Sequence, residues 1–157
     1  MRNRRNRKGQ ALAELGIIVA LLITISIGAV EFGYTFFALH MVTQATAAGA
    51  RAASVLQASN RGICGQITDT SPIVSLVRTQ VGSAVTLDSG YPMVQQCDDS
   101  SGSGASCIPP SFVLPCSASS LPKVRVTVNG SVPRIFGLFG SGPTRFSRVE
   151  TFRDEGR

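Results

Sequence analysis

RKGQALAELGIIVALLITISIGAVEFGYTFFALHMVTQATAAGARAASVLQ, running from Arg7 to Gln57, decides the architecture of this 157-residue chain. Within it, Leu15 to Val30 is a run of sixteen residues without a charge. Sixteen helical residues rise about 24 Å, short of a hydrocarbon core of about 30 Å. The apolar run resumes past Glu31 with Phe32, Phe36, Phe37 and Leu39, which makes up the length and puts Glu31 and Tyr34 near the outer interface. From Thr43 to Ala58 the chain is Ala-rich and free of Pro. Ala is the strongest helix former, so one continuous helix is predicted over residues 10–57, roughly 70 Å long.

Charge orients this rod. Five of the fifteen basic residues, Arg2, Arg4, Arg5, Arg7 and Lys8, precede the apolar run in a leader over residues 1–9. Lys and Arg stay on the cytoplasmic side, so the expected topology is single-pass in the cytoplasmic (inner) membrane, N-terminus inside and C-terminal domain periplasmic or extracellular. The net charge of +6 is therefore a topology signal and no basis for a nucleic-acid reading. The remaining basic residues are scattered, without a basic stripe interleaved with aromatics. Two other readings compete, a buried helix of a soluble protein and a cleaved secretory signal. The basic flank and the length speak against the first. The small residues at Ala47–Ala50 lie too far beyond the apolar core to suit signal peptidase, which speaks against the second.

At the edge of the span the chain reads Gly9-Gln10-Ala11-Leu12-Ala13-Glu14. A carboxylate close to hydrocarbon is expensive, about 2.5–3.5 kcal/mol at the centre of a span and less at its edge. Glu14 therefore calls for a partner. If the chain is cut after Gly9, the new α-amino group of Gln10 supplies one. In a staggered stack of parallel helices, Glu14 of one subunit meets the Gln10 amine of the next, which sets the axial register. The plainer alternative is a Glu14 that reaches the headgroups beside Arg7 or Lys8. Small residues, Gly16, Ala20, Ser26, Gly28 and Gly33, then Ala45, Ala48 and Gly49, would let further helices approach closely.

A basic leader, a Gly, four residues and a Glu before an apolar helix resemble a type IV prepilin cleavage site. The combination of Gly9 to Glu14, the span end Ile27-Gly28-Ala29-Val30-Glu31-Phe32-Gly33 and Ala47-Ala48-Gly49-Ala50-Arg51-Ala52-Ala53 resembles the TadE-like family. Those proteins are pseudopilin-like components of Flp (tight adherence) pilus assembly. The likeness covers about the first third of the chain; Leu15 departs from the aromatic residue more frequent there. It implies processing between Gly9 and Gln10 by a prepilin peptidase, partnership with other pilins or pseudopilins and the pilus assembly machinery, and a role in cell adhesion. Glu31 matches the family's second acidic position, where it is either an interfacial residue in water or a contact to another membrane subunit.

Residues 58–157 form the expected extracytoplasmic domain. Cys64, Cys97, Cys107 and Cys116 all lie there, in a compartment where disulfides persist. Four cysteines allow three connectivities. Cys97–Cys107, closing the loop DDSSGSGAS, with Cys64–Cys116, is favoured. Ser71-Pro72 opens a short helix with Ile73, Leu76, Val77 and Val81 on one face. Lys123 to Val128 alternates as a strand, Asn129-Gly130 reads as a tight turn, Pro133 limits pairing of the next segment to an edge, and Arg145 to Phe152 reads as a last strand. The fold class is α+β, a long transmembrane helix continuing into a small antiparallel sheet domain.

Nothing in the sequence points to catalysis. The only His, His40, has no acid beside it, and no nucleophile elbow, P-loop or dinucleotide fingerprint occurs. No metal, cofactor or small-molecule substrate is expected; Asp98-Asp99 reads as solvated loop charge rather than a calcium site. The expected function is a pseudopilin-like membrane subunit of a Flp/Tad-type adhesive pilus. The alternative is a membrane-anchored extracytoplasmic binding domain unrelated to pili.

Overall fold

The computed structural model describes residues 5–62, 65–97, 107–108, 123–137, 140 and 142–155. One helix, α1 (Arg5–Ser54), runs unbroken for 50 residues, about 75 Å. It passes through Gly9 without interruption, so the last leader residues are helical too. It stops three residues before the predicted Gln57 because tertiary donors take its last carbonyls. The Arg61 guanidinium donates to Ala53 O (3.4 Å) and Leu56 O (3.1 Å), and the Glu155 N–H donates to Ser54 O (2.9 Å). Open helix ends need such donors, and here the folded domain supplies them.

The two halves of α1 live in different surroundings. Every residue from Gly9 to Ser26 is exposed. From Glu31 onward a stripe is buried: Ala38, Val42, Ala45, Thr46, Gly49, Ala50, Ala53 and Ser54. These recur at three- and four-residue spacing, one face of a helix. That face is a wall of the domain core.

Helix α2 (Ser71–Val81) lies on this wall and buries Ile73, Val77 and Val81 of the face read from the sequence, while Leu76 is half-buried. Pro72 sits in its first turn, and Asp69 Oδ1 accepts the Ser71 N–H at 2.8 Å. Gly49 has a specific reason to be Gly: a Cβ there would overlap Val77 Cγ2 of α2. Small residues in the outer part of α1 thus serve its own domain, whereas around Gly16 and Gly33 the space is open.

The sheet is antiparallel throughout. Strand β4 (Lys123–Val132) is central, paired along one edge with β5 (Thr144–Arg153) and along the other with β1 (Thr86–Leu87) and β2 (Met93–Cys97), set end to end; β3 (Cys107–Ile108) pairs the outside of β2. Strict alternation in β4 turns Val124, Val126, Val128 and Val132 inward. Burying each Val contributes about 1.5–3 kcal/mol. Val94, Ile73 and Val77 complete the core, with Phe146 and Phe152 packed against it.

Two readings need correction. Asn129-Gly130 is no turn: β4 runs through it to Val132. A Cβ on Gly130 would overlap Thr86 O, so this Gly admits the backbone of β1, the other common reason for a glycine within a strand. Glu31 is not an interfacial residue in water, since only 3% of it is exposed.

Candidate functional site

The exposed half of α1 carries the residues singled out for assembly. Gln10 and Glu14 lie one turn apart on one face, and Gln10 Nε2 donates to Glu14 Oε1 at 3.2 Å. Both are exposed. The carboxylate thus faces outward at the start of the apolar segment, one turn from the residue expected to bear the new amine. A Cβ at Gly9 would meet nothing within 4 Å among the described residues.

Between Glu14 and Glu31 no charged side chain interrupts the helix. The hydroxyls there are satisfied internally: Thr24 Oγ1 donates to Ala20 O at 2.9 Å and Ser26 Oγ to Leu22 O at 2.8 Å. A span in lipid requires this, because hydrocarbon offers polar groups no partner. Gly9–Ser54 is long and apolar enough to cross a membrane.

Glu31 sits at the junction of the two halves, beneath the domain. Three residues on, Tyr34 Oη donates to Ala84 O at 3.3 Å, fixing the α2–β1 connection at that level of the rod. The far end is held by a polar network. Arg61 Nη2 and Nη1 contact Asp154 Oδ1 and Oδ2 at 2.6 and 2.9 Å, and these side chains are only 6% and 8% exposed. Gln96 Nε2 donates to Asp154 Oδ2 at 3.0 Å, while Gln96 Oε1 accepts the Ile67 N–H at 2.8 Å. The network joins the end of α1, β2 and the end of β5. Sequence reading missed all three residues, since Arg61 and Asp154 stand 93 positions apart and no spacing rule pairs them.

Cys97 and Cys107 form a disulfide between directly opposed residues of β2 and β3. Cys64, Cys116 and the Asp98-Asp99 pair lie outside the described residues. Among the described residues no group of three or more His, Cys, Asp or Glu is arranged to hold a metal ion. His40 Nε2 lies 2.8 Å from Gln44 Nε2 on the exposed side of α1.

A single long apolar helix bearing an α+β head, stapled by a disulfide, is consistent with a single-pass membrane protein. Residues 9–51 match the family model described as TadE-like protein, a segment that holds the Gly9–Glu14 motif and all but the last three residues of the candidate span. Comparison with curated proteins and with solved structures gave no significant match.

Proposed function

We propose that the chain is a pseudopilin-like membrane subunit that takes part in assembling a Flp/Tad-type adhesive pilus through its N-terminal helix, and that it catalyses no reaction. The observation that carries this reading is an apolar helix exposed on all sides from Gly9 to Ser26, with Glu14 facing outward one turn from Gln10, inside the segment that matches the TadE-like family. The Cys97–Cys107 disulfide and the basic leader support a head on the oxidising side and a cytoplasmic N-terminus.

In this reading a prepilin peptidase cuts after Gly9, and the freed Gln10 amine of one subunit neutralises Glu14 of its neighbour. Lipid provides no hydrophobic drive for helices to pair, so a charge pair near hydrocarbon both attracts the next subunit and fixes its axial position. Within the uncleaved chain the Gln10 amide already occupies Glu14 Oε1. The partners are other pilins or pseudopilins and the secretion machinery that drives them.

Mass spectrometry of the protein extracted from cells that contain the peptidase tests the processing step. A terminus at Gln10 is the expected result; a retained leader removes it. Glu14→Ala is expected to insert normally and to abolish piliation, and piliation at the natural level would end the register mechanism.

A further inference from the structure

One end of the head lies level with the junction between the exposed and buried halves of α1. Strand β4 starts at the far end of α1, where its Lys123 opposes Arg153 and, just beyond, Glu155 bonds Ser54. It then descends ten residues, about 33 Å. From Ser54 back to Glu31 the helix falls about 35 Å. The lower end of β4 therefore comes level with Glu31. The Tyr34–Ala84 bond, together with the Thr86–Ser131 pairing, places β1 and β4 at that same height. The β4–β5 connection, residues 133–143, begins where the head meets the span.

This connection presents Ile135 and Phe136 to the outside, 49% and 53% exposed. Among the described residues, the other large exposed hydrophobics beyond α1 are Val55 and Val149, each alone. Two hydrogen bonds tie this stretch to Gly140: Gly137, at φ 65°, accepts the Gly140 N–H at 3.2 Å, and Arg134 Nη1 donates to Gly140 O at 3.3 Å. The sequence of the connection has no acidic residue, Arg134 lies within it and Arg145 follows it.

The length of the span says what this tip meets. Exposed helix from Leu12 to Ser26 covers only about 21 Å, well short of a hydrocarbon core of about 30 Å. A full crossing from Leu12 reaches Phe32. The core boundary then lies above Ile27 and Gly28, which are already half-buried by the chain, and about level with buried Glu31. Whatever descends from the level of Glu31 enters the outer leaflet. We infer that the start of the β4–β5 connection, residues 133–137, is an interfacial membrane anchor, with Ile135 and Phe136 at the headgroup–acyl boundary of the outer leaflet and Arg134 among anionic headgroups. Apolar side chains beside basic ones, on a segment lying in the interface plane, have the composition for such a site. The anchor would fix the tilt of the head over the bilayer. It rests on the proposed membrane topology but not on the pilus role.

The natural chain has no Trp, so single tryptophans report position directly. The full-length chain carrying Phe136→Trp, or Ile135→Trp in a second variant, is reconstituted into phosphatidylethanolamine–phosphatidylglycerol vesicles containing lipids brominated near the top of the acyl chain. Ile18→Trp within the span and Val149→Trp on the exposed edge strand are the references. Blue-shifted emission from position 136 or 135, quenched severalfold more than Val149→Trp, is the expected result and places the ring about 5–10 Å into the interface. If Ile18→Trp is quenched and neither loop variant is, the anchor is wrong while the span stands. Blue-shifted but unquenched loop emission assigns the tip to a protein contact, such as a second copy, and also overturns the anchor. Failure of Ile18→Trp to be quenched removes the span and the anchor with it.

Discussion

Arg61 holds Asp154 by two nearly parallel contacts, 2.9 and 2.6 Å, at the point where the long helix ends and the last strand leaves the sheet. The same guanidinium reaches Gly65 O at 2.9 Å as well as the helix-end carbonyls, so one side chain closes the C-terminus of α1 and ties it to β5. Planar, five-donor geometry is what Arg offers here and Lys does not.

Removing the acid strands that charge. Asp154→Ala is expected to cost about 3–5 kcal/mol, the usual penalty for leaving one buried partner uncompensated. Replacing both residues by apolar ones of similar size should cost far less. Denaturant titration of the detergent-solubilised chain, monitored by far-UV circular dichroism, separates the two; equal losses would count against a buried ion pair.

Gly49 and Gly33 make a matched pair of sites on one helix. Gly49→Val forces a side chain into Val77, and overpacking of this kind costs about 1–3 kcal/mol. Around Gly33 nothing lies within 4 Å, so Gly33→Val should leave head stability unchanged. Thermal melting of the two variants checks the contrast.

The Cys97–Cys107 bond closes a short loop, with a sequence separation of 10. Replacing both cysteines by serine is expected to cost about 2–3 kcal/mol through the gain in unfolded-chain freedom. Unfolding midpoints of that variant and the natural chain, measured without reductant, give the value.

Asp69 at the head of α2 makes one element pH-dependent. The Ser71 N–H first, and its hydroxyl second, hold the Asp69 carboxyl below its usual value. The folded state then binds this proton less readily than the unfolded state, so the stabilisation is complete above the ordinary carboxylate range and fades as pH falls through the depressed value. Asp69→Ala should therefore be less stable than the natural chain near neutrality, and the gap should close below about pH 4. Unfolding midpoints measured across that interval test the sign.

Much of this was legible in one dimension because the governing physics is local. Sustained hydropathy and Ala content announce α1, Pro72 with its three-four spacing announces α2, and alternation announces most of β4. The last strand, read as Arg145 to Phe152, extends by one residue at each end. The favoured Cys97–Cys107 bond is present. What escaped depends on neighbours remote in the chain. Asn129-Gly130 has the composition of a turn, and only the approach of Thr86 shows why a strand needs Gly there. Glu31 looks like a residue in water until the rest of the folded chain covers it. The Arg61–Asp154–Gln96 cluster has no periodicity to betray it, and its effect on the end of α1 was invisible for the same reason.

Because α1 is at once the rod and a wall of the core, the molecule has no swivel between stalk and head. A sheet packed on one stripe from Glu31 to Ser54 and fastened at the top by Asp154 must turn whenever the rod turns about its axis, and must rise whenever the rod is hoisted. Torque or thrust delivered at the foot would therefore arrive at the far end of the head undiminished by any slack joint.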